Sequence, residues 1–467
     1  MTITPIIGLE VHVELKTKSK MFCGCDAQHF HAQPNTHTCP VCLGLPGALP
    51  VPNLTACEWC VKLGLALGCS INQESFFERK NYFYPDLSKG YQITQLQKPF
   101  AVYGHLNING HDIRINRAHM EEDTGKSVHV DDSTLLDFNR SGVPLVEIVS
   151  EPDLQSAEEA KKYLNKIQQI IRYIGISDAD IEKGSMRCEP TVNLKIDNFY
   201  TPLVEIKNVA SLTGVMNAIN YEIQRQSQQF KKDHLEKNST NKTTRGWDAD
   251  KNQTFLQREK EGSADYRYFP EPDIPPIIFT QEQIKAIRAE LPELPDQKIA
   301  RYQTLGLSDY DASLLADTVE FSQIFDKIVS ISNPEYAKFV ANLLIGPLKT
   351  IEITADKINP QFFQNLFDHK NDLSSTSIKQ LILESYESGI DPLEIAKAKN
   401  LFQVSDTGAI EELVKKVVTD NPKAVADYQK NPLTIGFLVG QVMKISQGSA
   451  NPQLAKEILE KLLNAQN

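Results

Sequence analysis

"IGLEVHVEL" (residues 7–15) decides the fold, because it predicts a β-strand with two different faces. Apolar side chains stand at every second position, namely Leu9, Val11, Val13 and Leu15. A period of two sends successive side chains to opposite faces, so one face of this strand belongs in a core. The other face carries Glu10, His12 and Glu14, which either lie in solvent or bind a metal ion.

Acidic residues recur within other apolar runs of the first 290 residues. These positions are Glu121, Glu122, Glu147, Glu151, Glu189 and Glu205. Glu147 and Glu151 are expected on one face of the strand predicted for "VPLVEIVSE" (143–151). A solvated face explains such residues on any single strand. If the faces converge, however, the carboxylates must share cations, because otherwise several would be protonated at neutral pH.

Oxygen ligands in such a cluster favour Mg²⁺, whose shell is commonly completed by water and nucleotide phosphates. A nucleotide phosphate is therefore the expected missing ligand. Arg187 and Lys207, each two residues from one of the acidic positions, are the candidates to balance the charge of a transferred phosphoryl group. The usual nucleotide signature is absent: "MEEDTGKS" ends like a P-loop, but Met120 stands where the first glycine is required.

The block "ERKNYFYPDLSKGYQITQ" (78–95) combines basic and aromatic side chains, which together can hold a phosphate or stack on a base. The candidate binding residues in it are Arg79, Lys80, Tyr82 and Lys89. Ordinary aromatic packing around a turn at "PDLSKG" is the alternative.

Two pairs of cysteines predict a zinc site. Cys23 and Cys25 are separated by thirteen residues from Cys39 and Cys42, and four thiolates on two tight turns form a closed tetrahedral site. Such a site is structural rather than catalytic. The alternatives are free thiols that fill apolar holes, or a histidine of the same loop as a replacement ligand. A second CxxC, Cys57 and Cys60, falls in a helical pattern and is expected to pack in the core.

Composition limits the class of protein. The chain has 467 residues and a formal net charge of −11, which argues against a large basic face for nucleic acid but not against a small positive patch. Few, clustered cysteines and the lack of a targeting segment or a long apolar run predict a cytoplasmic protein that does not enter a membrane.

The pattern of the chain predicts an α+β protein with three parts. Residues 1–290 carry most of the alternating runs and should form a mixed sheet with helices, whereas residues 291–404 and 405–467 read as helical. Ser156, Glu159 and Gly175 mark the ends of one helix. Residues 231–253 have little to bury and predict a hairpin or loop.

Long motifs in a fixed order resemble the B-subunit family of the bacterial and organellar aspartyl/glutamyl-tRNA amidotransferases. They include "IGLEVHVEL", "NTHTCPVCLGLPGALPVPN", "RKNYFYPDLSKGYQITQ", "HMEEDTGKS", "GVPLVEIVSEPD", "GSMRCEP", "VEIKNV" and "DYRYFPEPDIPP". The resemblance covers essentially the whole chain, and motifs of this length are far more specific than any short pattern above.

The resemblance implies an ATP- and Mg²⁺-dependent enzyme that acts on misacylated tRNA. The subunit phosphorylates the side-chain carboxylate of Glu-tRNA(Gln) or Asp-tRNA(Asn), and ammonia then displaces the phosphate. The implied partners are an amidase A subunit that releases ammonia from glutamine and a small C subunit. Whether the glutamine route, the asparagine route or both are used stays open. A non-catalytic, zinc-containing scaffold that binds tRNA is the alternative.

The family fold is a cradle-like mixed-sheet domain, a helical domain and a small helical tail that binds tRNA, which fits the three predicted parts. The resemblance places catalytic groups at Glu10 and His12, and Arg187 and Lys207 complete the predicted catalytic set through their charge. It implies a Mg²⁺ site built from Glu10, His12, Glu121 or Glu122, Glu147, Glu151, Glu189 and Glu205. The basic and aromatic block is expected to bind ATP phosphates or the acceptor end of the tRNA.

Overall fold

The computed structural model describes residues 2–259, 266–329, 333–402, 407–428, 431–446 and 450–464. In these residues the strands are β1 (Ile3–Glu14), β2 (Ser70–Ile71), β3 (Glu74–Ser75), β4 (Glu78–Asn81), β5 (Tyr91–Thr94), β6 (Ala101–Ile108), β7 (His111–Glu122), β8 (Lys126–Val130), β9 (Ser133–Asp137), β10 (Pro144–Ser150), β11 (Met186–Ile196), β12 (Phe199–Tyr200), β13 (Val204–Lys207), β14 (Thr243–Asp248), β15 (Gln253–Glu259), β16 (Phe269–Pro270) and β17 (Ile277–Ile278). The helices are α1 (Leu54–Ala66), α2 (Ala157–Ile174), α3 (Leu212–Asp233), α4 (Gln281–Ala289), α5 (Pro295–Thr304), α6 (Asp309–Leu315), α7 (Val319–Ile328), α8 (Pro334–Ile345), α9 (Pro360–Asp368), α10 (Ser375–Ser388), α11 (Pro392–Ala398), α12 (Thr407–Asp420), α13 (Pro422–Tyr428), α14 (Ile435–Ile445) and α15 (Pro452–Asn464).

A large mixed sheet organises the first part of the chain. Its strand order is β15-β14-β13-β11-β1-β10-β7-β6-β2, and β12 pairs with β11 at one side. The strand predicted from "IGLEVHVEL" is β1, which lies in the middle of the sheet between β10 and β11 and runs antiparallel to both. β13 and β14 form a parallel pair. The sheet is therefore arranged around the strand that the sequence marks most clearly.

Helices cover the apolar face of this sheet. Leu9, Val11 and Val13 are buried in one cluster with apolar residues of α1, α2 and α3. Helix α2 begins and ends where the sequence predicts: the Ser156 hydroxyl accepts from Glu159 N–H at 3.1 Å, and Gly175 has φ 75°. The Glu159 carboxylate accepts from the Gln155 N–H at 2.7 Å, so the predicted reciprocal bond is shifted by one residue.

The segment predicted as a hairpin or loop, residues 231–253, contains most of a hairpin and also the end of a helix. Helix α3 continues to Asp233, and β14 and β15 form an antiparallel hairpin that extends the main sheet. Trp247 of β14 is buried and packs edge-on against Tyr221 of α3, with ring centroids 6.4 Å apart. The low apolar content of the segment hid this single anchoring side chain.

The chain divides into two compact units, Met1–Pro295 and Asp296–Asn467. The second unit is helical, and its described residues form one hydrophobic cluster between Tyr302 and Ala396 and another between Ile410 and Leu463. The α+β class, a mixed sheet followed by helices, is confirmed. The division at 290 and 404 stays a prediction, and the second boundary lies outside the described residues. None of the described helices combines the length and apolar character needed to cross a membrane.

Close packing of α1 on the sheet depends on Gly64. A Cβ atom built on this glycine would lie 2.4 Å from the Ala101 Cβ of β6. We expect Gly64→Ala to lower the free energy of unfolding of the first unit by about 1–3 kcal/mol, because overpacking forces neighbours apart. The chain's two tryptophans, Trp59 and Trp247, both lie in this unit, so urea unfolding followed by tryptophan fluorescence reports on it.

Leu54→Ala is the matched control, since Leu54 is an exposed residue of the same helix and the change should stay within about 0.5 kcal/mol of the wild type. Equal stability of Gly64→Ala and the wild type would contradict the close approach of α1 and β6.

Candidate active site

The register of the central strands brings polar side chains together on one face of the sheet. Glu10 lies opposite Glu189 of β11, and His12 lies between Glu147 of β10 and Arg187 of β11. Residues directly opposite each other in an antiparallel pair point to the same face. The polar face of β1 is therefore continued on both neighbouring strands.

This face forms the floor of a cavity of about 610 Å³. The sequence-predicted residues that line it are Glu10, His12, Lys80, Tyr82, Glu121, Glu147, Arg187, Glu189, Glu205 and Lys207. Asp123, an acidic residue of the motif "HMEEDTGKS", also lines it, as do Arg117, His119 and Arg258, which were not singled out from the sequence. We call this space the catalytic cavity.

His12, Glu121 and Glu147 form a compact cluster of metal-ligating groups. One ligand atom from each side chain lies within 4.8 Å of the others. The His12 Nε2 is 3.4 Å from the Glu147 Oε2 and 3.9 Å from the Glu121 Oε2. Ligands at about 2.1 Å in an octahedral Mg²⁺ shell lie about 3–4 Å apart, so these separations suit the ion.

The charges in this cluster favour a cation. Burial disfavours the imidazolium of His12, but the hydrogen bond to Glu147 and the nearby carboxylates raise its pKa to about 9. Burial likewise opposes ionisation of Glu147, yet the histidines His119 and His12 hold the pKa of this carboxyl well below its usual range. The corner thus attracts positive charge, which a metal ion or a proton can supply.

His119 is a further member of the cluster that the sequence reasoning missed. Its Nε2 lies 3.5 Å from both Glu121 and Glu147, and its Nδ1 is buried without a hydrogen-bond partner in the described residues. The missed signal is the spacing in "HMEE": His119 and Glu121 are two residues apart on one strand and so share a face.

A second group of carboxylates lies across β11 and β13. Glu189 and Glu205 both pair with the Lys207 ammonium, at 2.5 and 3.2 Å, and Lys242 also lies 3.2 Å from Glu205. Burial raises the pKa of Glu10, and the carboxylates of Glu147 and Glu205 raise it further. Glu10 therefore lies where another cation would be strongly attracted.

Arg187 is held at the edge of the catalytic cavity by an ion pair with Asp123. Burial opposes ionisation of Asp123, but the guanidinium groups of Arg187 and Arg140 hold the pKa of this carboxyl well below its usual range. The adjacent Glu14 accepts from His29 Nε2 at 2.8 Å. This network connects β1 to the loop that carries the cysteines.

Lys80 and Arg117 are cations of the catalytic cavity without a carboxylate partner in the described residues. The Lys80 ammonium lies 5.1 Å from the ring centre of Tyr266 and 5.9 Å from that of Tyr82. Burial opposes its charge, but Glu121 raises its pKa above the usual range. Arg117 donates to Asn116 at 3.3 Å, and its buried Nε has no acceptor in this part of the chain. Both cations can take an anionic ligand.

Four predicted site residues lie outside the lining of the catalytic cavity. Glu122 follows Glu121 and so points to the opposite face, where the Lys89 ammonium pairs with both of its oxygens at 2.5 and 2.6 Å. Arg79 is likewise occupied, because the Glu271 carboxylate accepts two of its hydrogen bonds, at 2.6 and 2.8 Å.

Glu151 is the fourth of these residues. A β-bulge between Val149 and Ser150 interrupts the register of β10 with β7, and Glu151 then accepts from the Asn116 amide at 2.7 Å. The bulged residue is Asn116 of β7, because Val149 pairs with Arg117 and Ser150 with Ile115. The alternation along β10 is therefore unbroken, and the common face of Glu147 and Glu151 stays a prediction. A bulge inserts a residue without changing the hydrophobic pattern, so the sequence gives no sign of it.

The cysteine loop brings four thiols together, as the spacing predicts. One sulfur from each of Cys23, Cys25, Cys39 and Cys42 lies within 4.8 Å of the others. Sulfurs around tetrahedral zinc, with bonds of about 2.3 Å, lie about 3.8 Å apart. The Cys39 and Cys42 sulfurs are 3.9 Å apart.

A buried cation lies next to the thiols. The Lys20 ammonium donates to the carbonyls of His37 and Phe138 at 2.7 and 3.1 Å. The pKa of Cys42 is lowered to about 4, mainly by the hydrogen bond from Cys23 and in smaller part by the charge of Lys20. By contrast, Cys57 and Cys60 are fully buried in α1 and belong to the hydrophobic core.

Comparisons with known proteins identify the family of this chain. Residues 5–285 match the model of the GatB/GatE catalytic domain, and residues 323–463 match that of the GatB domain. Subunits B of aspartyl/glutamyl-tRNA(Asn/Gln) amidotransferase are similar over almost the full length. The protein of Persephonella marina is 45% identical over 99% of this chain and 100% of its own length. That of Thermotoga maritima is 43% identical over the whole of both chains, and that of Dehalococcoides mccartyi is 44% identical over 98% of each.

The chain belongs to the family of amidotransferase B subunits. Every residue of the catalytic cavity falls within the stretch that matches the family's catalytic domain. This match favours the enzymatic interpretation over the non-catalytic scaffold. The chain is accordingly a subunit of a tRNA-dependent amidotransferase.

In this B subunit, Lys89 has a structural role that a substitution can test. Its side chain and that of Glu122 are 11% and 3% exposed, so the pair is buried. We expect Lys89→Met to lower the free energy of unfolding of the first unit by about 3 kcal/mol, because Glu122 would keep a buried charge without its cation. Tryptophan fluorescence in urea measures the change.

Lys98→Met provides the control, because Lys98 and its partner Glu74 are 50% and 56% exposed and their pair contributes at most about 0.5 kcal/mol. If the two substitutions had equal effects, Lys89 would not be the buried partner of Glu122.

Proposed function

We propose that this chain activates the side-chain carboxylate of Glu-tRNA(Gln), Asp-tRNA(Asn) or both by ATP-dependent phosphorylation, and that ammonia then converts it to the amide. Family membership supports this reaction class, since the relatives are named for both pairs of amino acid and tRNA. One observation carries the proposal: the cluster of His12, Glu121 and Glu147 lies in the same cavity as two cations that lack carboxylate partners.

The chemistry requires activation because a carboxylate oxygen is a poor leaving group. Transfer of the γ-phosphoryl group of ATP to that oxygen releases ADP and gives an acyl phosphate. Ammonia then forms a carbon–nitrogen bond, the carbon–oxygen bond breaks, and inorganic phosphate leaves. The protein's part in the first step is to position the two anions and to balance their charge.

His12, Glu121 and Glu147 are the residues we assign to a Mg²⁺ ion, with His119 beside them. Glu10, Glu189 and Glu205 offer oxygen ligands for Mg²⁺ on the adjoining strands. When bound, Mg²⁺ neutralises charge on phosphate oxygens. The separations of 3.4–3.9 Å, and ligand atoms of all three side chains within 4.8 Å of one another, support a site built for an ion.

Lys80 and Arg117 are assigned to phosphate oxygens, since neither has a carboxylate partner in the described residues. Tyr82, which also lines the catalytic cavity, lies against Lys80 and offers an aromatic face. Arg187 and Lys207 are engaged with carboxylates, so we assign them to holding Asp123 and Glu189 in place. Each of these roles follows from the partner that the side chain has or lacks.

Ammonia has to come from another subunit in this scheme. The described lining of the catalytic cavity contains no serine or cysteine that could attack the amide of glutamine. An amidase A subunit that hydrolyses glutamine and a small C subunit are the partners we propose. The tRNA-binding role of the C-terminal helices and a cytoplasmic location belong to the same proposal.

The four clustered cysteines are proposed to hold a structural Zn²⁺. Their sulfur separations suit a tetrahedral site, and the buried Lys20 offsets part of the negative charge of four thiolates. The loop between the two pairs also supplies His29, which contacts Glu14 of β1. Zinc would thus hold the loop against the strand that floors the catalytic cavity.

Glu147→Gln tests the proposed reaction. In the complex of the chain with its partner subunits, we expect Mg²⁺-dependent transfer of the γ-phosphoryl group to misacylated tRNA to fall by about 100-fold or more, because the isosteric amide removes a charge that holds the ion. The assay follows transfer of the label from γ-labelled ATP to Glu-tRNA(Gln) and, separately, to Asp-tRNA(Asn). The faster of the two reactions identifies whether the glutamine or the asparagine route is preferred.

Glu158→Gln is the matched control, since this exposed carboxylate of α2 lies outside the catalytic cavity and its loss should leave the rate unchanged. Binding of tRNA should persist in both variants. A fully active Glu147→Gln enzyme would refute the assignment of the cluster to catalysis.

Cys39→Ser tests the zinc site. We expect one zinc per wild-type chain by elemental analysis, and a loss of that zinc in the variant because a closed site needs all four ligands. Cys57→Ser, which alters a core cysteine, should keep the metal. Zinc-free wild-type protein, purified without chelators, would contradict the prediction.

A further inference from the structure

A second cavity, of about 420 Å³, lies on the opposite face of the sheet from the catalytic cavity. Its walls come from α3, β13, β14, β15 and the segments beside them. The lining residues on which its properties depend are Arg225, Gln229, Phe230, Leu235, Arg245 and Leu256, and we call it the arginine cavity. Alternation along β13 separates the two spaces, because Val204 lines the arginine cavity and Glu205 lines the catalytic cavity.

The arginine cavity has an excess of positive charge. Among the described lining residues, only Arg225 and Arg245 are charged. Both lie against the fully buried Glu222, at 2.7 Å from Arg225 and 3.2 Å from Arg245. One carboxylate therefore faces two guanidinium groups, which leaves one positive charge unbalanced.

The carboxylate oxygens of Glu222 are already shared among several hydrogen-bond donors. Its carboxylate also accepts hydrogen bonds from Thr254 and from the Gln226 amide. Burial lowers the pKa of Arg245, and the charge of Arg225 lowers it further. An additional anion beside the arginines would relieve this repulsion.

Hydrogen-bond donors remain for such an anion. Arg245 donates through Nε and Nη2 to the hydroxyl and carbonyl of Thr254, at 2.7 and 2.9 Å, and its Nη1 has no acceptor in the described part of the chain. Arg225 donates through Nη1 to Gln229 at 2.7 Å, which uses one of the two hydrogens on that nitrogen.

The other lining residues favour a ligand with an apolar part next to its charged group. Phe230, Leu235 and Leu256 contribute apolar surface beside the guanidinium groups. Small-molecule sites are typically apolar cavities of about 300–1,000 Å³ with a few polar groups that orient the ligand. A ligand with an ammonium group is disfavoured, because the lining offers it no carboxylate.

We propose that the arginine cavity binds a small organic carboxylate, with its anionic head at Arg225 and Arg245 and its apolar body against Phe230 and Leu256. The site is independent of the proposed catalytic function, since it shares no lining residue with the catalytic cavity. The ligand class follows from the unbalanced charge and the adjoining apolar surface.

Titration of the assembled enzyme with hexanoate, followed by saturation-transfer NMR, tests the proposal. We expect saturable binding of one hexanoate per chain, with a dissociation constant of about 1 mM or lower for a ligand of this size. Hexanamide, which has the same shape without the charge, should bind at least about tenfold more weakly than hexanoate. Arg245→Gln should weaken hexanoate to a similar degree, while Arg288→Gln, which alters an exposed arginine of α4, should not.

Leu256→Ser gives a second variant in case loss of Arg245 disturbs folding. Leu256 is 49% exposed, so the change removes apolar surface that would contact the ligand at little cost to the core. Hexanoate should then bind at least about threefold more weakly than to the wild type. Absence of saturable binding would overturn the proposal. Equal binding of hexanamide, or unchanged hexanoate binding in both cavity variants, would overturn it as well.

Discussion

Like charges on neighbouring strands repel one another, and the first unit of this protein depends on how that repulsion is relieved. Glu10, Glu147 and Glu189 lie on three adjacent strands. Their side chains share one face of the sheet, because the opposite face of these strands packs in the hydrophobic core. Cations are interleaved with the carboxylates that line the catalytic cavity: His12 lies beside Glu147, Lys207 beside Glu189, and Arg187 beside Asp123. The compensation is incomplete around Glu10, whose raised pKa reflects burial and the neighbouring carboxylates. A divalent ion is the remaining counter-charge that we propose.

The same alternation gives the sheet a different chemistry on its two sides. The front carries carboxylates and suits a metal and phosphates, whereas the back near α3 carries two arginines around one buried glutamate. β13 contributes to both, since Val204 and Glu205 are consecutive residues. A ligand in either cavity therefore contacts a strand that also lines the other.

The sequence predicts the parts of this arrangement that depend on local pattern. Alternation identified β1 and its polar face, a hydroxyl and a glycine marked the ends of α2, and cysteine spacing predicted the thiol cluster. The features it missed depend on tertiary contacts. His119 lies beside Glu121 and Glu147 through strand pairing, and the carboxylate that pairs with Lys89 is Glu122, 33 residues further along the chain.

The central claim is that His12 and the carboxylates beside it hold a divalent ion. Pulsed electron paramagnetic resonance of Mn²⁺, a substitute for Mg²⁺, bound to the assembled enzyme tests it most directly. The account predicts a ¹⁴N coupling from a directly bound imidazole that weakens or disappears in His12→Gln while Mn²⁺ still binds. A spectrum without nitrogen coupling in the wild type, or one that His12→Gln leaves unchanged, would contradict the account.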